Sequence, residues 1–313
     1  MASKATRASF GEALAEMGDE FKNVVALDAD LSKSTKSDMF AKKFPQRFFQ
    51  MGISEANMIG VAAGLSFSGK VPFLCSFGCF LTGRFDTIRV SVGYSQANVR
   101  LVGTHAGIGI GEDGYSQMAL EDISCMRSLP GMAVLQPADD IETKQMVRYL
   151  AKHQGPVYLR LTRQNLEVVN GPAYQFRFGR GVVLREGKQA VIFSTGGVVA
   201  HSLTAAKALE SEGFSISVVN IHTIKPLDVE LVLKCAKLSK HVFTAEDHNV
   251  IGGLGSAVCE VVAQNGLGVP VTRLGVQDTY GESGSPEALY EKHGLNAHGL
   301  ARSMKSVLNL RFN

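Results

Sequence analysis

The 313-residue sequence contains no run of about 18 apolar residues, so no stretch of it reads as a membrane-spanning helix. Its opening residues, Met-Ala-Ser-Lys-Ala-Thr-Arg, lack the apolar core of a secretory signal. Charge of either sign is not concentrated. The formal net charge is +3, and apart from Lys42 and Lys43 the basic residues are scattered, which offers nucleic acid no footprint. Tandem repeats and low-complexity stretches are absent too. Cysteine is sparse and odd in number: Cys75, Cys79, Cys125, Cys235 and Cys259, mostly inside apolar runs. These read as buried thiols of a reducing compartment. Cys75 and Cys79 have no second pair at zinc spacing, which speaks against a metal site. These absences describe a cytoplasmic protein that uses neither a membrane nor nucleic acid. What is present is an ordinary globular balance, 45% apolar and 19% charged, in a chain long enough for two domains.

Hydrophobic periodicity sets the fold class. Strands are expected over 24–27, 48–51, 71–77, 99–103, 132–135 and 157–161, alternating with helices over 10–21, 80–94, 118–127 and 141–152 and one that begins at Glu55. Such alternation means a parallel sheet covered on both faces. The turn signal Asn170-Gly171-Pro172 marks a boundary, giving domains 1–170 and 171–313. A second alternating set follows, with strands over 190–194, 215–220, 241–245 and 271–274. Its helices are expected over 198–211 and 228–235, and after Gly252-Gly253-Leu254-Gly255 to about 263. Ser285-Pro286-Glu287 combines an N-cap, an N1 proline and an early acid, a helix start. The fold class is α/β, two domains, each a mostly parallel sheet flanked by helices.

In the stretch 52–69 the only charged residue is Glu55. Ser54 is placed as an N-cap, and Met58, Ile59, Ala62 and Ala63 recur at helical spacing. Glu55 is then either a surface acid favoured by the helix dipole or a buried acid that resists ionisation, of use in catalysis. Gly109-Ile110-Gly111-Glu112-Asp113-Gly114 imitates the dinucleotide fingerprint, but Glu112 and Asp113 would set two carboxylates beside a pyrophosphate. The loop suits a hydroxyl-rich or cationic ligand better. His105 follows a strand at the carboxyl end, where open α/β sheets bind ligands, although a loop histidine needs no such role. Arg7, before the first helix, and Arg163, after the strand 157–161, are either surface charges or a clamp for phosphate or carboxylate. Phe77 and Phe80 either pack the core or stack on a flat ligand.

Taken together these residues resemble the C-terminal half of transketolase. The resemblance rests on Asp28-Ala29-Asp30-Leu31, Gly52-Ile53-Ser54-Glu55-Ala56-Asn57-Met58, Phe77-Gly78-Cys79-Phe80, Thr104-His105 with the loop 109–114, and Thr162-Arg163-Gln164-Asn165. Thr244-Ala245-Glu246-Asp247-His248 and Gly281-Glu282-Ser283-Gly284 extend it to the second domain, so that it covers essentially the whole chain. The resemblance implies a pyrimidine-binding domain, a transketolase C-terminal domain and thiamine diphosphate as cofactor. It implies that Glu55 is the catalytic acid at N1′ of the aminopyrimidine, where it favours the imino form that removes the C2 proton. It implies that Phe77 and Phe80 hold that ring, and that Asp30 and Leu31 line the cofactor site from the neighbouring subunit. His105 and Asp113 correspond to residues that bind sugar hydroxyls; Arg7, Ser34 and Arg163 correspond to those that bind the terminal phosphate.

Departures fall at the sugar site. Gly83 stands where many members have tyrosine, Gln117 where many have a second substrate histidine, and Tyr115 where proline is usual. The Gly-Asp-Gly that begins the family's diphosphate and metal motif occurs nowhere in the chain. The resemblance therefore implies a split enzyme. A separate N-terminal subunit would hold the diphosphate and a divalent metal (magnesium or calcium), and two copies of this chain would pair within an α2β2 assembly. The expected reaction is transfer of a two-carbon ketol unit from a ketose phosphate to an aldose. The alternatives are the beta-type subunit of a 2-oxoacid dehydrogenase or deoxyxylulose phosphate synthase-like enzyme, and a non-catalytic paralogue.

Overall fold

Strands buried along their whole length leave no solvent face, and a parallel sheet with helices on both sides is the arrangement that satisfies them. A computed structural model describes residues 3–312. Its first strands are β1 (Lys4–Ala5), β2 (Val24–Asp28), β3 (Phe48–Gln50), β4 (Val71–Phe77), β5 (Arg100–Thr104), β6 (Ala133–Leu135), β7 (Val157–Arg160) and β8 (Asn165–Leu166). Then come β9 (Val182–Arg185), β10 (Ala190–Ser194), β11 (Ile216–Asn220), β12 (Thr223–Lys225), β13 (His241–Asn249) and β14 (Val271–Val276). The fold is α/β, with two large sheets and a two-stranded one among the described residues. The first has the order β12-β6-β7-β5-β4-β2-β3 and is parallel from β6 to β3. The second has the order β14-β13-β10-β11-β9, parallel except for β9.

One face of the first sheet carries the helix Glu55–Phe67, whose Met58, Ile59, Ala62 and Ala63 share a core with Leu27, Leu74 and Leu101. The other face carries Thr6–Met17 and Asp140–Leu150, which bury Phe10, Leu14, Met146 and Leu150 against Phe73, Val102 and Leu159. The second sheet is sandwiched in the same way. Val198–Glu210 and Ala297–Phe312 cover one side, and Val229–Lys237 and Leu254–Gln264 the other.

Several local expectations shift. The helix expected over 80–94 is three pieces, Gly78–Thr82, Phe85–Ile88 and a π-helical turn Arg89–Tyr94, interrupted at Gly83 and Arg84. The first helix begins at Thr6, so Arg7 lies inside its first turn rather than before it. The helix expected from Met118 begins at Asp122, because Met118 is extended and the chain is still leaving the glycine loop. Strand β13 runs on to Asn249 and carries Glu246, Asp247 and His248. Ser54 sits at the N-cap of its helix without a side-chain bond, whereas Ser285 caps Ala288 N at 3.3 Å with Pro286 behind it.

Two pairings that periodicity could not show join distant parts of the chain. The antiparallel pair β1–β8 sets the chain start beside the segment after β7, and Thr162 N donates to Thr6 Oγ1 at 2.8 Å. Strand β12, from beyond residue 171, closes the first sheet as an antiparallel edge on β6. Beside it, the buried Glu142 accepts from Tyr174 O–H at 2.5 Å, Ala138 N at 2.7 Å and Asn220 Nδ2 at 3.0 and 3.1 Å. One carboxylate thus gathers a helix of the first layer, the connecting segment and β11 of the second sheet.

Burial pushes the Glu142 carboxyl up to about 7, against the hydrogen bonds that favour its ionised form. Between its unfolded and folded values the folded chain holds the extra proton. Its contribution is therefore greatest below pH 4.5 and is lost as the pH rises through about 7. Urea titrations from pH 4.5 to 8 are expected to show stability falling with pH, with a shallower slope in Glu142→Gln; an unchanged slope in that variant would remove Glu142 as the source.

Candidate active site

The parallel pairing of β2, β4, β5 and β7 brings their carboxyl ends to one edge of the first sheet, and most candidate residues follow those ends. Phe77 ends β4 and Phe80 lies in the helix after it; their rings stack at 5.3 Å and 6°. His105 follows β5, and its ring lies 3.8 Å from that of Phe77. Glu55 enters from the helix that follows β3 and is buried at its N-terminus. Ser76 Oγ donates to Glu55 Oε1 at 3.3 Å, and a cavity of about 250 Å³ opens between Ile53, Glu55, Cys79, Phe80, Gly83 and Arg84. The two readings of Glu55 are thus decided for burial beside an aromatic stack.

Arg7, Ser34, His105, Asp113 and Arg163 form a second, charged group. Arg7 Nη1 donates to Ser34 O at 2.8 Å and to His105 Nε2 at 2.9 Å. Arg163 Nη1 lies 3.3 Å from Asp113 Oδ1 and donates to Ile110 O at 2.9 Å. Burial lowers the Arg7 pKa, the charge of Arg163 lowers it further, and Asp113 opposes them. Arg7 Nε is buried without a partner among the described residues. Two guanidiniums close enough to perturb one another, one with a spare N–H, suit an anion.

The protonation of His105 follows from its partners. Arginine can only donate, so Nε2 is the accepting nitrogen. The proton is then on Nδ1, which donates to Thr104 Oγ1 at 2.8 Å while that hydroxyl reaches Ser76 O at 3.4 Å. Burial pushes the His105 pKa down to about 3, with Arg7, Arg163 and Lys36 acting in the same sense. The residue has φ 57, a left-handed turn that points its ring back over Phe77.

The remaining candidates sit apart. Asp30, also left-handed at φ 66, donates its N–H to Gln50 Oε1 at 2.7 Å, and Leu31 N donates to Asp28 Oδ1 at 2.6 Å. Their bonds run to Gln50 and Asp28 rather than to the Glu55 cavity. Gln117 does not line that cavity, but its carbonyl accepts at 3.2 Å from Sγ of Cys79, which does. The Cys79 thiol is pushed up to about 12 by burial and by the charge of Glu121, so it is not a nucleophile at neutral pH. Tyr115 meets Tyr280 of the second layer edge-on at 4.7 Å.

Sequence reasoning gave no role to Ser76, nor to Asp28 and Thr104, which it used only as part of the matched stretches. Buried Asp28 accepts from Thr35 Oγ1 at 2.7 Å and Ser37 Oγ at 2.9 Å and so shapes the loop that carries Leu31 and Ser34. An Asp followed closely by Ser and Thr residues was the available signal. The dinucleotide imitation has a steric explanation. A Cβ on Gly109 would lie 2.2 Å from Gln164 Nε2, and one on Gly114 would lie 2.5 Å from Ser283 Oγ. These glycines let other segments approach, rather than a phosphate.

Residues 2–169 match the family model for the transketolase pyrimidine-binding domain, and residues 179–300 match that for the transketolase C-terminal domain. The chain belongs to the transketolase family. Among solved structures it is similar to a split-gene transketolase described as an inactive beta4 tetramer, at 46% identity and a TM-score of 0.89, over 99% of this chain and 100% of that one. It is 40% identical to the 6-deoxy-6-sulfo-D-fructose transketolase subunit SqwH of Clostridium sp. (strain MSTE9), over 96% of this chain and 94% of that protein. It is 37% identical to the transketolase of Rattus norvegicus, over 97% of this chain but only 49% of that longer protein.

Membership in the transketolase family implies thiamine diphosphate, and the residues present fit one half of it. The stacked rings and a buried carboxylate with a single side-chain hydrogen bond can receive a flat nitrogen heterocycle. Among the described residues no three or more His, Cys, Asp or Glu side chains gather in a way that could hold a metal ion. No described helix is long and apolar enough to cross a membrane.

The buried position of His105 can be checked by NMR. Its imidazole is expected to stay neutral with the proton on Nδ1 from pH 5 to 9, since its pKa is about 3. Titration near the unperturbed histidine value, about 6.5, would show that the ring is not held as described.

Proposed function

We propose that this chain is one subunit of a transketolase, transferring a two-carbon ketol unit from a ketose phosphate to an aldose acceptor. The observation that carries the reading is the convergence of Glu55, the Phe77–Phe80–His105 stack and the Arg7–Arg163 pair at one sheet edge. Bound thiamine diphosphate supplies the electron sink for breaking and remaking the C–C bond. Glu55 holds and returns a proton at the pyrimidine nitrogen, and Phe77 and Phe80 flank that ring. Neutral His105 and the Asp113 carboxylate orient sugar hydroxyls, with Gln117 beside them. Arg7, Ser34 and Arg163 take the terminal anion. The name of the sulfofructose relative suits the same arginine pair, because both phosphate and sulfonate are tetrahedral anions.

On this reading the chain divides near residue 170 into a pyrimidine-binding unit and a C-terminal unit. The diphosphate and its metal belong to a separate N-terminal subunit, and the assembly is cytoplasmic. Asp30 and Leu31 serve the site of a second copy. That pairing is supported by the outer face of the Glu55 helix, where Gly60 and Gly64 have open space above them and Ile53 and Phe67 are 85% and 66% exposed. Small residues flanked by exposed apolar ones form a surface another copy can cover.

The purified chain is expected to show no ketol transfer until a diphosphate-binding subunit, thiamine diphosphate and a divalent metal are added. Robust turnover by the chain alone would sink the split-enzyme reading. In the reconstituted complex, Glu55→Gln keeps the helix packing and removes the acid. Turnover should fall by about 10²–10⁴-fold with cofactor saturating. Near-normal activity in the folded, loaded variant would take Glu55 out of the chemistry.

A further inference from the structure

The loop 105–114 carries His105 and Asp113 but has little regular structure to hold it in place. Gly107, Gly111 and Gly114 take φ values of 86°, 81° and 77°, and the short 3-10 segment Ile108–Asp113 is kinked at Gly111. Its backbone is held from the second sheet. Asp247, on β13 and 1% exposed, accepts from Ile108 N at 2.8 Å on Oδ1 and from Gly109 N at 3.4 Å on Oδ2. Tyr290 O–H donates to the same Oδ2 at 2.6 Å, and Gln164 Nε2 donates to the Tyr290 oxygen at 2.8 Å. The contact is flush: a Cβ on Gly107 would lie 2.2 Å from Asp247 Oδ2. Arg160 anchors the other end of the residue by donating to Asp247 O at 2.9 Å.

A carboxylate only accepts, and it meets three donors here: two main-chain N–H groups and a phenol. An amide in its place would turn a donor toward one of them. The Asp247 side chain bonds to Ile108 N, Gly109 N and Tyr290 O–H rather than to His105 or Asp113, so its hold is on the backbone that carries them.

We propose that Asp247, steadied by Tyr290, is a positioning residue of the ketol-transfer site: it holds the Ile108–Gly109 backbone from the second domain and thereby sets where His105 and Asp113 meet the sugar. This rests on the sugar-binding role given to those two residues above. The contact acts on the sugar and leaves the pyrimidine pocket, built from β4 and the Glu55 helix, untouched. The second domain is then part of the substrate site without contributing a group that touches substrate.

Hydrogen exchange on the full chain tests the contact. In Asp247→Ala, amides in 105–114 should exchange about tenfold or more faster, as expected for losing hydrogen bonds to a charged acceptor. Peptides from 190–220 should be unaffected, and Asp247→Asn, which keeps one acceptor, should fall between. In the complex with a diphosphate-binding subunit, Asp247→Asn and Tyr290→Phe should raise KM for the ketose phosphate several-fold while leaving the Kd of thiamine diphosphate unchanged. Should Asp247→Ala not fold, Asp247→Asn and Tyr290→Phe carry the same comparison. Unchanged loop exchange, exchange that rises equally through 190–220, or an unchanged KM would overturn the proposal. The exchange arm needs no turnover. Absence of ketol transfer in the wild-type complex, with loop protection intact, would overturn the transketolase reading instead.

Discussion

Arg160 is buried completely, and the relation between the two sheets depends on where its charge goes. Its Nε donates to Asp122 Oδ2 at 2.8 Å, and its Nη2 donates to Ala119 O and Asp247 O, both at 2.9 Å. Tyr158, two residues earlier on β7, donates its O–H to the same Asp122 oxygen at 2.7 Å. Burial raises the Asp122 carboxyl, but the charge of Arg160 and its hydrogen bonds outweigh that and hold it below the usual carboxylate range. A charge withdrawn from water is tolerated only when it is paired, and removing one member of such a pair costs about 3–5 kcal/mol; Arg160 is paired through Nε and Nη2, while its Nη1 and Asp122 Oδ1 are buried without a hydrogen-bond partner among the described residues. That requirement ties the strand before Arg163, the segment after the glycine loop and β13 of the second sheet into one arrangement.

The charge distribution around the site follows from that arrangement. Cations collect on the side of His105, where burial first and then Arg7, Arg163 and Lys36 lower its pKa, so the imidazole remains a neutral hydrogen-bonding group. Carboxylates collect on the side of the second sheet. Glu246 is buried there and accepts from Leu254 N at 2.7 Å and Gly255 N at 2.8 Å, and burial pushes it up to about 7. The arginine-bearing edge and β13 of the second sheet hold the same glycine loop, Arg163 at Ile110 and Asp113 and Asp247 at Ile108 and Gly109.

The layers are also continuous in their backbone. Strand β12 belongs by sequence to the second part of the chain and by hydrogen bonding to the first sheet, and Gln136 N donates to His222 O at 2.9 Å just beside it. Lys225 Nζ donates to Arg127 O at 2.7 Å and Leu129 O at 2.5 Å, capping the end of the helix Asp122–Ser128 from across the interface. A chain joined in this way is expected to respond to interface substitutions at the site as well as in stability.

Local chemistry determined much of this protein. The alternation of buried strands with amphipathic helices shows in residues a few positions apart, which is why the α/β class and the long helices at Asp140–Leu150 and Val198–Glu210 were legible. Glu55 was legible because a lone charge in an apolar helix start stands out in its own turn. The short elements were not: β1, β8, β9 and β12 carry no periodicity of their own and exist only because a distant partner supplies their hydrogen bonds. Whether Arg7 and Arg163 were surface charges or a pair could not be read from either neighbourhood, since β1 meets β8 across most of the first layer. The role of the glycines at 107–114 was likewise decided by what approaches them, Asp247, Gln164 and Ser283. Sequence determined the elements, whose causes lie within a turn or a strand. Tertiary structure decided the site, because burial and charge there are set by groups a hundred residues away.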